Sequence, residues 1–285
     1  MADHHFEAIG TLWRIHTESP LDRSTVDRLE SRALEFDLTY SRFRSDTLVR
    51  QAAEHPGSYR FPDDAEPLFS LYRKLYDVTD GAVSPLVGAI LEHLGYDQDY
   101  SLRRRPGGTT VPDWDDVLRV DGTLLTTTEP IVLDVGAAGK GYLIDLLADI
   151  LRQGGVRDYL IDGSGDLIHR GTAACRIGLE SPLDPTMVIG VADLRNAALC
   201  ASATNRRAWG DGLHHIIDPA TAEPATGVLA SWVVADSALL ADALATALFL
   251  VDPAVLAAHF TFSYVRMLAA GGVEYSINFP GELFV

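Results

Sequence analysis

Leu133-Asp134-Val135-Gly136-Ala137-Ala138-Gly139-Lys140-Gly141-Tyr142 is the stretch on which the reading of this chain turns. The apolar residues Ile131 to Leu133 read as a strand running into a turn of small residues, and the turn opens a helix. Small residues let a ligand approach the backbone closely. A helix N-terminus presents unpaired N–H groups, which suit an anion. Lys140 adds a positive charge there, and Asp134 a carboxylate. The pattern fits a phosphate cradle. It is not a Walker A loop: Gly136 and Gly139 stand too close together, and Gly141 takes the place of the hydroxyl residue. A tight strand–helix connection with a solvated lysine would leave the same trace, and the turn alone does not decide between the two.

Outward from the turn, the new helix continues through Leu146, Leu147, Ile150 and Leu151 to Gly154-Gly155. Before it, helices are expected from Ser24, with Asp27 closing a weak capping box and Val26, Leu29, Ala33 and Leu34 as its apolar stripe. Others are expected from Pro67, and from Pro85 to a stop at Gly95. After the turn helix the texture changes. Tyr159–Ile161, Cys175–Leu179, Val188–Ala192, Ala197–Ser202, His214–Ile217 and Leu229–Ala235 read as short strands. A helix from Ser237 to Leu250 follows, capped by Asp236. Helices early and strands late predict an α+β fold, with mixed or antiparallel sheets and packed helices, as a single domain over residues 1–285.

The formal charge of −17 argues against nucleic acid and anionic membranes as partners. A small phosphate ligand would need a local cation. Two cysteines, Cys175 and Cys200, read as reduced core residues rather than a disulfide framework or a metal cluster. No signal peptide or lipid-anchor cysteine stands near the start, and the apolar run Leu239–Val251 is too short to span a bilayer. The expectation is a cytoplasmic protein without membrane insertion.

Three further segments carry chemistry. Asp162-Gly163-Ser164-Gly165-Asp166 is either a nucleotide-binding turn or a hairpin turn; Ile168 stands where a dinucleotide fingerprint needs its third glycine. His214 and His215 are adjacent in a strand and so face opposite ways, which makes them a poor metal pair but leaves room for one base and one structural histidine. Asp242 and Thr246 stand one turn apart on an otherwise apolar helix. One carboxylate and one hydroxyl suit a hard cation such as Mg²⁺; a solvated aspartate with a threonine bonded back to its own helix is the alternative.

The order of these segments is more specific than any one of them. Ala8-Ile9-Gly10-Thr11, Ser41–Thr47, Gly81–Gly88, the Asp134–Gly141 turn, Asp162–Asp166, Ala201–Thr204, His214–Pro219 and Asp242–Thr246 together resemble the ApbE family of FAD:protein FMN transferases. The resemblance covers nearly the whole chain and implies a T-fold-like α+β architecture. It implies Mg²⁺-dependent transfer of the FMN half of FAD to a threonine or serine of an acceptor protein, with AMP released. FAD hydrolysis to FMN and AMP, or non-catalytic FAD binding and delivery, are the alternatives. By motif position, Ile9, Phe43, Ala82, Val83, Ser84, Asp134, Lys140, Asp162, Gly163, His215 and Ile216 would contact FAD. The Ala137 carbonyl with the Asp242 and Thr246 side chains would hold Mg²⁺, and His215 would be the base. Ile9 replaces a common methionine, Val83 and Ser84 replace the phenylalanine and aspartate of F-D-P, and Ala222 replaces a usual glycine.

Overall fold

A computed structural model describes residues 2–284 of the chain; Met1, on which the reading of the chain's start partly rests, and Val285 lie outside the described residues. The strand Val228–Ala235 is apolar at almost every position. Successive strand residues face opposite ways, so such a strand needs cover on both faces. It has it. The strand lies inside an eight-stranded sheet whose spatial order is Ala2–Ala8, Thr11–Thr17, Tyr159–Asp162, Leu167–Arg170, Ala198–Ala203, Val228–Ala235, Ser263–Leu268 and Val273–Tyr275. Every neighbouring pair is antiparallel. One face carries Trp13, Ile15, Ile161, Ile168, Cys200 and Val233 into the larger core, beneath the helices Arg23–Tyr40, Gly139–Gln153 and Ala238–Ala247. The other face carries Leu167, Leu199, Trp232, Val234 and Val265 against Leu179, Ala192 and Leu194 of a three-stranded antiparallel sheet. A second three-stranded sheet joins Gly57–Arg60, Leu124–Thr127 and Leu118–Asp121.

The α+β architecture is as expected, but strands are not confined to the later half. Ala2–Ala8 and Thr11–Thr17 form a hairpin at the sheet's edge, closed by Ile9 (φ 44°) and Gly10 (φ 74°). The stretch 131–133 joins no sheet among the described residues. Its backbone is tied singly instead: Ile131 N–H donates to the Ala52 carbonyl (3.0 Å) and Asp134 N–H to the Pro85 carbonyl (2.8 Å). His214–Ile217 falls into two separate ladders, Leu213–His214 and Ile217–Asp218. The first helix is capped by Asp22, whose Oδ1 accepts the Thr25 N–H at 2.9 Å, not by Ser24 and Asp27; Phe36 and Tyr40 take the buried face while Leu34 is exposed. Ser237, not Asp236, caps Ala238–Ala247, accepting the Leu240 N–H at 3.2 Å. Among the described residues no helix is long and apolar enough to cross a membrane.

The site is positioned by the contact between Gly139–Gln153 and Ala238–Ala247. Gly141 lies at the close approach: a Cβ there would stand 2.0 Å from the Ala238 carbonyl oxygen. The two helix starts cap each other. Asp242 Oδ2 accepts the Gly141 N–H at 2.8 Å, while Asp145 Oδ1 and Oδ2 accept the N–H groups of Ala238 (3.0 Å) and Leu239 (2.8 Å). Each carboxylate satisfies donors that its own helix cannot reach, at the positive end of the partner's dipole. Burial still pushes the Asp145 carboxyl up to about 6, against the pull of its two N–H donors. Asp145→Ala should therefore cost about 1–2 kcal/mol, the usual loss of a cap. Urea unfolding would register it as a lower midpoint at unchanged slope.

Candidate functional site

The turn that opens Gly139–Gln153 forms one wall. Asp134 Oδ1 accepts the Gly136 N–H at 2.7 Å, which folds the turn, and Oδ2 accepts Arg42 Nε at 2.5 Å. Arg42 is 2% exposed; its Nη1 donates to the Tyr96 carbonyl at 2.6 Å, and its guanidinium stacks 4.2 Å from the Phe43 ring centroid. Burial works to raise the Asp134 pKa, but the Arg42 charge and hydrogen bond outweigh it and hold the group below its ordinary value. The pair thus locks the turn to an aromatic wall. In that wall Phe43 stacks on Tyr100 (5.1 Å) and Tyr96 on Trp209 (5.3 Å).

Two cavities meet at this turn. The larger, of about 640 Å³, is lined by the expected residues Ile9, Phe43, Asp134 and Lys140, together with Tyr96, Tyr100, Arg207 and Trp209. Its size and aromatic lining suit a planar ring system. The smaller, of about 50 Å³, is lined by the expected residues Ala82, Val83, Ser84, Asp134, Ala137, His215, Ile216 and Thr246. Ser84 there caps the short 3₁₀ turn Pro85–Val87, accepting the Leu86 N–H at 3.2 Å.

The two histidines divide their roles. His214 is buried, with Nε2 donating to the Ala225 carbonyl (2.9 Å) and Nδ1 accepting the Ile216 N–H (3.3 Å). It pins the loop. His215 faces the smaller cavity, and its buried Nδ1 has no hydrogen-bond partner. Burial, reinforced by the charge of Arg207, pushes its pKa down to about 3, so the imidazole is neutral at pH 7.

Asp242 lies one turn before Thr246 on the same helix and is 2% exposed. Among the described residues no cationic side chain forms an ion pair with it. Burial raises its pKa, against the opposing charge of Lys140 and the Gly141 N–H. A buried carboxylate held only by backbone N–H groups is costly unless a positive charge offsets it. Thr246 Oγ1 meets Ser202 Oγ at 3.2 Å and borders the cavity beside Ala137. Carboxylate, hydroxyl and backbone carbonyl are all oxygen donors, the set a hard divalent cation takes. Among the described residues no three His, Cys, Asp or Glu side chains converge, and this set needs only one of them.

Three expected positions line neither cavity: Asp242, which lies behind Thr246 on the Gly141 N–H, and Asp162 and Gly163. Asp162 Oδ1 accepts the Gly165 N–H (2.9 Å), and Gly163 sits on Trp13, where a Cβ would be 3.0 Å from the ring. The segment is a hairpin turn between Tyr159–Asp162 and Leu167–Arg170. Its working member is Asp166, fully buried, which accepts the Ala201 N–H (3.0 Å) and ion-pairs with Lys140. Lys140 is therefore not the free cation that its place in the turn suggested. Arg42 lies within the Ser41–Thr47 segment, with no role legible for it there, and Tyr96, Trp209 and Arg207 lie outside every segment that the sequence singles out. Adjacent arginines at 206 and 207 in so acidic a chain were a usable signal.

Fold and site together define a class: an antiparallel α+β protein with an aromatic cleft that meets, at a helix start, a smaller cavity bordered by a histidine and a threonine. The chain belongs to the ApbE family, whose family model matches residues 9–262. It is 26% identical over 249 residues to the FAD:protein FMN transferase of Vibrio cholerae serotype O1, covering 79% of this chain and 72% of that protein. It is 32% identical over 185 residues to the protein of the same name from Rhodobacter capsulatus, where the match takes in 60% of this chain but 35% of that protein. Among solved structures, the ApbE protein from Thermotoga maritima superposes with a TM-score of 0.85 at 24% identity over 97% of each chain. The flavin transferase ApbE from Vibrio cholerae does so at 0.80 and 21% over 96% of each chain. These likenesses establish the fold.

Proposed function

We propose that this chain transfers the FMN part of FAD to a threonine or serine hydroxyl of an acceptor protein, in a Mg²⁺-dependent reaction that releases AMP. One observation carries the reading within the family: a neutral, unpartnered imidazole at His215 shares a cavity with Ala137 and Thr246, at the end of an aromatic cleft. Ile9, Phe43, Ala82, Val83, Ser84, Asp134 and Ile216 would shape the flavin nucleotide site, and Asp166 would hold Lys140 toward it. Asp242, Thr246 and the Ala137 carbonyl would hold Mg²⁺, which supplies charge neutralisation at the pyrophosphate when bound.

His215 takes the acceptor hydroxyl's proton as the oxygen bonds to the FMN phosphorus. The P–O bond to AMP breaks, and its electron pair leaves on the AMP phosphate. A base with a pKa near 3 is weak by itself, but it stays unprotonated at working pH, and incoming phosphate charge strengthens it. His215→Ala should lower transfer about 10²–10⁴-fold, read as labelled acceptor formed at saturating FAD. In the wild-type apoprotein the His215 ring nitrogens should show no NMR titration from pH 8 to pH 5, where an exposed histidine titrates near about 6.5.

The deciding experiment incubates the protein with FAD, Mg²⁺ and candidate acceptors. Mass spectrometry and in-gel fluorescence then look for covalent FMN, alongside AMP release. Labelled acceptor with AMP supports the transfer. AMP without labelled protein would move the chain to FAD hydrolysis, and FAD left intact to binding and delivery alone.

A further inference from the structure

We propose that Arg207 is the phosphate-reading specificity residue of this site, gripping the diphosphate that joins the two halves of its ligand; the proposal rests on the FAD reading above. Five cationic side chains line the two cavities: Arg42, Arg44, Lys140, Arg206 and Arg207. The first four are each engaged by a carboxylate. Arg42 pairs with Asp134 (2.5 Å), Arg44 with Asp46 (2.8 Å) and Asp37 (3.4 Å), Lys140 with Asp166, and Arg206 with Glu180 (3.0 Å). Among the described residues Arg207 forms no ion pair.

Its position is as particular as its freedom. The residues common to both cavities are Tyr96, Asp134, Gly136 and Arg207, so Arg207 stands at the throat where one cavity opens into the other. It is half-buried, and its charge acts on Asp134 and His215, which line the smaller cavity, and on Asp242 behind it. A dinucleotide whose ring system fills the aromatic cleft sets its diphosphate at this throat. A guanidinium presents N–H groups in a planar fork that matches two phosphate oxygens at once. In a chain of net charge −17, with the other cavity cations already paired, that fork is the one ready to meet the anion.

The test compares ligands that share the flavin ring and differ in phosphate. Binding of FAD, FMN and riboflavin to the full chain is followed by flavin fluorescence, with chelator present so that no divalent ion takes part. Arg207→Gln should weaken FAD about 10–100-fold, the range for loss of charge-assisted hydrogen bonds, while riboflavin affinity changes less than about 2-fold. Arg207→Lys should fall between. The salt dependence of FAD binding should flatten in Arg207→Gln. Unchanged riboflavin binding also reports that the variant is folded. Equal weakening of FAD and riboflavin would make Arg207 a shaping residue and overturn the proposal. So would an Arg207→Gln protein that binds FAD as wild type does; the FAD reading would survive that result. A wild-type protein that binds no FAD would overturn both.

Discussion

Gly141→Ala is expected to destabilise the protein by about 3 kcal/mol and to abolish transfer. The new Cβ would lie 2.0 Å from the Ala238 carbonyl oxygen and 2.7 Å from Asp242 Cβ. The first of these is backbone, at the start of a helix held by Asp145, so it cannot step aside as a flexible side chain could. Relief requires the two helices to separate. Separation breaks the Gly141 N–H bond to Asp242 and moves Asp242 and Thr246 away from Ala137. Thermal unfolding should show a fall of about 6–12 °C, taking about 2–4 °C per kcal/mol for a chain of this size. Gly108→Ala is the control, since nothing lies within 4 Å of a Cβ there; it should stay within about 0.5 kcal/mol of wild type. A Gly141→Ala protein as stable as that control would show that the helix contact yields to a methyl group.

How much of this was legible beforehand follows from how local each signal is. The small-residue turn was legible because every glycine and alanine in it is contiguous. Asp242 stood out because a lone carboxylate on an apolar helix needs a reason. That its partner would be Gly141, 101 positions earlier, had no local trace. The same holds for Arg42 and Asp134, 92 positions apart, and for the capture of Lys140 by Asp166: a sequence shows that charges exist, not which of them meet. Ile131–Leu133 misled because a short buried apolar run has the same pattern in or out of a sheet. The hairpin Ala2–Thr17 was missed for the opposite reason. Its first strand is at the sheet's edge and buries only every other residue partly, and its Ile9-Gly10 turn has an isoleucine in the left-handed region where asparagine or aspartate would have announced it.

Asp242→Asn should separate the carboxylate's two jobs. As a hydrogen-bond acceptor it caps Gly141, and an amide oxygen of the same shape can keep that bond. As a buried charge it costs the folded state in the absence of a cation, since burial raises its pKa. The variant should therefore fold with a melting temperature equal to or above that of the metal-free wild type. Its transfer activity should nonetheless fall by about 10²-fold or more, the scale lost when preorganised charge at a reacting phosphate is removed. Metal linkage gives a readout independent of activity. A ligand that binds only the folded state stabilises it by about 2.7 kcal/mol at a hundred times its dissociation constant. Added Mg²⁺ should accordingly raise the wild-type melting temperature and leave that of Asp242→Asn unmoved. Asp242→Ala loses the cap as well as the charge, so it should fall below Asp242→Asn by about 1 kcal/mol and be equally blind to Mg²⁺. A melting temperature that still climbs with Mg²⁺ in Asp242→Asn would remove Asp242 from the metal set and leave it as a cap alone.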